Sequence, residues 1–415
     1  MDDRKIPVSV TWGLGLTQII GYGTLYYAFS ILVPDIASEF GWTEQWVFGA
    51  FSASLLTGSL AAPTAGRLAD LLGAGRIMAA GSAAAAIALL LTAVAPGPIT
   101  FFLGLALMQV VSATVLYSTA FVAIVQLGGG SAQKSIVHLT LIAGFASTLF
   151  WPLTSWLHEW MTWRQVFLLY GLLNVSVCVP IHLWLARLPR GNTAVDVAVT
   201  VAGSEPISAA RGRAGQLVFA LMLIGFAVEG CALSAVLVHM VPLTLALGLG
   251  GFGIYVAALF GPAQVASRFI NLLFGGGLSQ TWLAVIAALA LPAGLMVLLP
   301  TSPWMVGAVL FALLTGLGSG LTSIVAGTLP LELFGKAGYG RRLGWCTSAK
   351  QFTSATAPFA MSASMAEMGV VPSLWVVACI ALIGAAAFLA IPLVLRRGVR
   401  LELGSRYSGD GIVTR

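Results

Sequence analysis

The chain has 415 residues, of which 59% are hydrophobic and 8% charged, with a formal net charge of +6. An average soluble domain carries about 25% charged residues, so this chain lacks the surface that a water-soluble protein of its length needs. The apolar content excludes a disordered chain, and the lack of a dense basic stripe disfavours nucleic-acid binding.

The solvent is therefore mostly lipid, and a spanning helix needs roughly 20 apolar residues. Such runs lie at 9–33, 46–66, 75–95, 99–126, 135–157, 163–186, 214–244, 250–274, 280–299, 303–329, 343–366 and 370–395. The first follows Met1 to Pro7 with no small-residue cleavage site, which predicts a retained helix and not a signal peptide. Glycine and proline clusters such as Pro96-Gly97-Pro98 and Gly128-Gly129-Gly130 punctuate the runs. The stretch 189–213 is polar and reads as a linker. It divides the chain into a six-helix bundle over 1–188 and a second over 214–395, with a tail over 396–415. The expected fold is thus an all-α membrane protein of twelve transmembrane helices in two six-helix bundles. Cys178, Cys231, Cys346 and Cys379 all lie in apolar runs and read as small buried hydrophobes. Their spacing suggests no metal site, and no cofactor is expected.

Basic residues orient the runs. With the N-terminus in the cytoplasm, 17 of the 20 Lys and Arg fall on the inner side and only Arg164 falls outside. Outer loops hold Asp35, Glu39, Glu44, Glu159 and Glu367. The expectation is a multi-pass protein of the plasma (inner) membrane, a monomer, with both termini cytoplasmic. Weak repeats link the halves: Leu32-Val-Pro34 with Met240-Val-Pro242, Pro152 with Pro358, and Gly66–Asp70 with Gly276–Gln280, at offsets of 206 to 210 residues.

A charge at mid-helix in a bilayer costs roughly 2.5–3.5 kcal/mol on insertion scales. Glu229, Arg268 and Lys350 fall at such positions, and their charges sum to +1. An anion from solution would complete a cavity holding them. Arg offers a planar fork for a carboxylate and Lys a mobile point charge. Two simpler readings stand beside this one: Glu229 bridging one of the cations, and Arg268 snorkelling to the cytoplasm. Gln264 lies one turn from Arg268, and Thr347, Lys350 and Ser354 share a helical face. In the first half, Gln18, Tyr22 and Tyr26 repeat every four residues, and Gln109 and Tyr117 lie about two turns apart on the fourth run. These read as a polar wall facing the cations, or as packing. For proton coupling the candidates are Glu229 and His138.

The second run ends in Gly66-Arg-Leu-Ala-Asp70-Leu-Leu-Gly73-Ala-Gly-Arg76. With the 6+6 layout, this resembles the major facilitator superfamily of secondary transporters. It is similar to that family's GxxxD(R/K)xGRR signature, with Leu71 replacing the first basic residue and Arg76 one position late. The resemblance implies a conformational latch at Gly66, Asp70, Gly73 and Arg76. Trp163-Arg164 opens the sixth run as in many members. The basic residue that drug exporters carry is missing from Leu105 to Gln109, and Trp151-Pro152 does not continue as Gly-Pro-x-x-Gly-Gly. Within the superfamily, Thr347-Ser-Ala-Lys350 is similar to a stretch of the oxalate/formate exchangers with a substrate-binding lysine, and Arg268 stands where they and the monocarboxylate transporters have a substrate-binding arginine. The resemblance implies a transporter moving a small organic anion, a mono- or dicarboxylate, by alternating access with proton symport or anion exchange. The alternative is an efflux pump for a drug or other amphiphile. Enzyme signatures such as HExxH and GxSxG are missing, so no catalysis is expected.

Overall fold

In lipid the backbone must satisfy its own hydrogen bonds, and helix is the regular structure found throughout the described residues. The computed structural model describes residues 6–128, 132–189, 212–250 and 252–409. The first half contains α1 (Val8–Phe40), α2 (Glu44–Leu72), α3 (Ala74–Ala93), α4 (Pro98–Leu127), α5 (Ala132–His158) and α6 (Trp163–Arg187). The second contains α7 (Gly212–Val238), α8 (Phe252–Phe274), α9 (Gln280–Thr301), α10 (Met305–Phe334), α11 (Tyr339–Met368) and α12 (Val370–Gly409). Among the described residues, eleven of these helices are long and apolar enough to cross a membrane. α11 has the length, 30 residues, but it holds the polar run Thr347, Ser348, Lys350 and Gln351.

Boundaries differ from the expected ones where the backbone bends without stopping. α1 continues through Pro34 to Phe40. The seventh run kinks at His239 and resumes as the short helix Met240–Ala246, with Pro242 in its first turn. The last helix continues past residue 395 to Gly409, so the expected tail is helical over much of its length. The expected linker lies almost wholly outside the described residues.

The helices alternate in direction, so one end of the bundle collects Arg67, Arg76, Arg187, Arg213, Lys336, Arg341 and Arg342, and the other Asp35, Glu39, Glu44, Glu159 and Glu367. Arg164, the exception at the acidic end, has a structural use. It donates to Glu39 Oε1 at 2.7 and 2.9 Å and to the carbonyls of Ala93 and Ala95, and it stacks 4.4 Å from the Trp163 ring. It thereby ties the acidic ends of α1, α3 and α6 together. Cys379 is exposed on α12, unlike the buried Cys178 and Cys346, so not every cysteine is a core residue.

Internal duplication is visible in hydrogen bonds. The first amide of α3, Ala74 N, donates to Gln126 Oε1 at 2.9 Å, and the first amide of α9, Gln280 N, donates to Glu332 Oε2 at 2.9 Å. Both partners are displaced by 206 residues. Gln280 thus corresponds to Ala74 and not to Asp70, which corrects the register of one expected repeat.

The halves meet at the basic end. α2 packs on α11, the second part of α4 on α11, and the first part of α5 on α8 and α10. The apolar clusters follow the same division. Toward the acidic end, the cluster around Phe29, Phe101 and Trp163 belongs to the first half alone, and that around Leu243, Phe311 and Leu374 to the second. At the basic end, Tyr339 and Leu343 join the first half's core and Val137 joins the second's.

Candidate functional site

Four helices of the first half are irregular at mid-bundle, one of them α6, with a π turn at Asn174–Cys178. α1 widens into a π turn at Gly23–Tyr27. α4 breaks at Leu116, whose backbone is extended (φ −83°, ψ −170°). α5 breaks at Gly144–Phe145. Irregular backbone at membrane depth is tolerated where it is buried or lines a cavity, and π turns often mark functional sites. A cavity of about 310 Å³ lies there, between the halves.

The second half supplies the charge. Arg268 on α8 is 4% exposed. Its Nε donates to Ser323 Oγ at 3.0 Å on α10, and its Nη1 donates across to the Thr140 carbonyl at 3.0 Å on α5. Nη2 has no protein acceptor among the described residues. The crossing needs Gly144, because a Cβ at that position would collide with Nη1. Gln264, one turn before Arg268, donates to Ser319 Oγ at 2.9 Å. Lys350 on α11 lines the same cavity, and its ammonium makes no hydrogen bond or ion pair among the described residues. The charged groups that act on it are Glu229 and Arg268. Glu229 on α7 is buried and accepts a hydrogen bond from Thr322 Oγ1 of α10. α7 and α11 approach closely because a Cβ at Gly230 would lie 2.7 Å from Lys350 Cγ. Thr353 Oγ1 and Ser234 Oγ seal this contact with hydrogen bonds of 2.6 and 2.7 Å to the carbonyls of Ala227 and Ser354.

The first half supplies an aromatic and amide wall from Tyr22, Tyr26, Gln109 and Tyr117. Gln109 donates to the Leu25 carbonyl at 3.2 Å, beside the π turn. Two expected site residues lie elsewhere. Gln18 is fully buried and does not line the cavity; its Nε2 donates to the Val115 carbonyl at 2.8 Å, released by the break in α4. His138 is exposed on α5 and has no hydrogen-bond partner among the described residues. It stands two residues, about 200°, around the helix from Thr140, so it faces away from Arg268. Four further residues were not anticipated. Tyr27 enters the cavity beside Tyr26 because the π turn inserts an extra residue. Ser319 and Ser323 hold Gln264 and Arg268, and Thr322 holds Glu229. The i, i+4 spacing of Ser319 and Ser323 in a glycine-rich helix was a readable signal.

At the basic end, Asp70 accepts from the amides of Gly340 and Arg341 at 2.9 Å each, across the two halves. These are unpaired N–H groups at the start of α11, where a carboxylate is favoured by the helix dipole. Gly66 lets the helices touch, since a Cβ there would collide with the Gly340 carbonyl. Gly73 turns the chain with φ 96°. Arg76 is exposed and makes no ion pair among the described residues.

The profile of the Major Facilitator Superfamily matches residues 14–358. Among curated proteins, no relative matches in sequence. Among solved structures, the chain is similar to the human organic anion transporter MFSD10 (TETRAN), with a TM-score of 0.69 and 14% identity over 92% of this chain and 100% of that one. It is also similar to the proton:xylose symporter XylE bound to 6-bromo-6-deoxy-D-glucose, with a TM-score of 0.64 and 14% identity over 92% of this chain and 95% of that one. The transporter FucP in the outward conformation matches with a TM-score of 0.64 and 14% identity over 93% of this chain and 97% of that one. At such identities the likeness carries the fold alone.

Proposed function

We infer the transport chemistry from one premise: this chain belongs to the Major Facilitator Superfamily. It is a multi-pass membrane protein and a secondary transporter working by alternating access, not an enzyme. Its substrate is a small organic anion, a mono- or dicarboxylate. The observation that carries this reading is the pair Arg268 and Lys350 on one cavity wall, with Glu229 as the one buried carboxylate among the described residues. An unmatched cation in a low-dielectric site is costly, and an anion offsets it. Arg268 keeps Nη2 free for such a ligand while its other donors fix the guanidinium plane. Gln264, Tyr22, Tyr26, Gln109 and Tyr117 complete the binding surface.

Transport is coupled by proton symport or anion exchange, with Glu229 as the proton carrier in the first case. A proton on Glu229 releases the Lys350 charge, so that both cations grip the carboxylate. Taking up one anion and one proton together leaves the buried charge unchanged, which removes an electrostatic obstacle to reorientation. The basic end is cytoplasmic by the positive-inside rule, in a plasma (inner) membrane. The structure then corresponds to the outward-facing state, with the Asp70–α11 contact as its inner latch.

The test is uptake into liposomes by Arg268→Gln and Lys350→Gln variants. Each should lose at least about tenfold in anion uptake, because one charged hydrogen bond is worth about 1.5–3 kcal/mol. Uptake at the parent rate by both variants would overturn the anion site and favour export of a neutral or amphiphilic compound.

A further inference from the structure

The wall opposite the cations is made of tyrosine rings that brace one another. The Tyr22 and Tyr117 centroids lie 4.7 Å apart, and Tyr26 meets Tyr27 edge-on at 5.4 Å. Trp151 backs Tyr27 at 5.7 Å, and Phe121 stacks on Tyr117 at 5.2 Å and 10°. A wall fixed in this way loses little freedom when a ligand arrives.

The hydroxyls show a second contrast. The core tyrosines have partners: Tyr170 bonds Thr154 at 2.7 Å and Tyr339 donates to the Gly327 carbonyl at 2.6 Å. Tyr26, Tyr27 and Tyr117 make no hydroxyl hydrogen bond to protein among the described residues. These residues line the open cavity, where their hydroxyls can meet ligand or water. Arg268 lines the same cavity as Tyr22, Tyr26, Tyr27 and Tyr117. Cation and rings therefore share one chamber.

Charge and size narrow the ligand further. With Glu229 offsetting Lys350, the site has one excess positive charge. With Glu229 ionised, a monocarboxylate cancels that charge, whereas a dicarboxylate presses a second, unmatched negative charge against the electron-rich ring faces. An apolar cavity of about 150 Å³ holds a benzene. This cavity, at about 310 Å³, holds one ring, its carboxylate and a short substituent.

We propose that the ligand is an aromatic monocarboxylate, its carboxylate on Arg268 and Lys350 and its ring against Tyr22, Tyr26, Tyr27 and Tyr117. This assignment rests on the anion site proposed above. The test is ligand-induced thermal stabilisation of the purified full chain, titrated with benzoate, cyclohexanecarboxylate, acetate and succinate. Benzoate should bind about fivefold tighter than cyclohexanecarboxylate, the size of a good ring–ring contact, and tighter still than acetate or succinate. Tyr26→Leu should erase the advantage of benzoate over cyclohexanecarboxylate, and Arg268→Gln should weaken every carboxylate. Each variant's melting point without ligand controls for folding. Carboxylates that bind through Arg268 with no preference for benzoate, or with succinate preferred, overturn the aromatic assignment alone. Binding that ignores Arg268→Gln, or no binding by any carboxylate, overturns the anion site and this assignment with it.

Discussion

Arg268 divides its guanidinium between protein and cavity. Nε and Nη1 hold it to Ser323 and the Thr140 carbonyl, and Nη2 is left for solute. This answers the snorkelling alternative, since a snorkelling arginine directs its donors to water at the membrane surface. Lys350 differs in kind: it has no fixed partner, and its neighbour Glu229 is held by Thr322 and not by an ion pair within reach. Such a carboxylate can change protonation without breaking a salt bridge. Glu229→Gln keeps the shape and the Thr322 contact but removes the titrating group. It should abolish accumulation driven by a pH gradient in liposomes while counter-exchange of labelled anion continues. Accumulation that survives the substitution removes Glu229 from proton coupling.

At the scale of helices, charge sits on continuous α8 and α11 while shape comes from interrupted α1, α4 and α5. The α5 break is tied directly to the charge. Gly144 leaves the opening through which Nη1 reaches Thr140. Gly144→Ala should therefore push Arg268 off its seat and lower anion uptake at least about tenfold, the loss expected for one charged hydrogen bond. Its melting temperature should change little, because the atom displaced is the end of a flexible side chain and Gly144 has no left-handed backbone that would bar a side chain. A variant with full uptake would show that Arg268 does not need this approach. The breaks were the least legible part of the chain. Glycine is frequent in membrane helices, so Gly23 and Gly144 carried no signal distinct from their many fellows. Gln18 was misplaced for a related reason: its role depends on a carbonyl freed by the unseen break at Leu116.

At the scale of the whole molecule, the halves touch at the basic end and part at the acidic end, and Asp70 is a polar contact spanning that closure. Asp70→Ala removes both acceptors from the α11 amides, worth about 1–3 kcal/mol, and should shift the population toward opening at the basic end. Cys346 lines the cavity and reports this. With the other three cysteines replaced by serine, a membrane-impermeant maleimide added on the basic side should label Cys346 about fivefold faster in Asp70→Ala, since about 1 kcal/mol is a factor of 5. Equal rates would deny Asp70 a latching role. The architecture at this scale was readable, because span length and basic asymmetry follow from the bilayer itself. So were Arg268, Lys350 and Glu229, which stand out where charge is scarce. Ser319, Ser323, Thr322 and Tyr27 were harder, since hydroxyls in helices usually bond their own backbone, and only tertiary placement shows which of them also hold a charged neighbour.

During synthesis α11 reaches the bilayer after ten other helices, and it is poorly suited to enter alone. Thr347, Ser348, Lys350, Gln351, Thr353, Ser354 and Thr356 fall within three turns of it, and a central lysine alone costs roughly 2.5–3.5 kcal/mol on insertion. Its acceptors are already present when it emerges: the Ala227 carbonyl on α7 receives Thr353, and Asp70 on α2 receives its first amides. α11 is thus inserted as a partner of α7 and α2, and the residues that give the cavity its charge make its entry dependent on helices made before it.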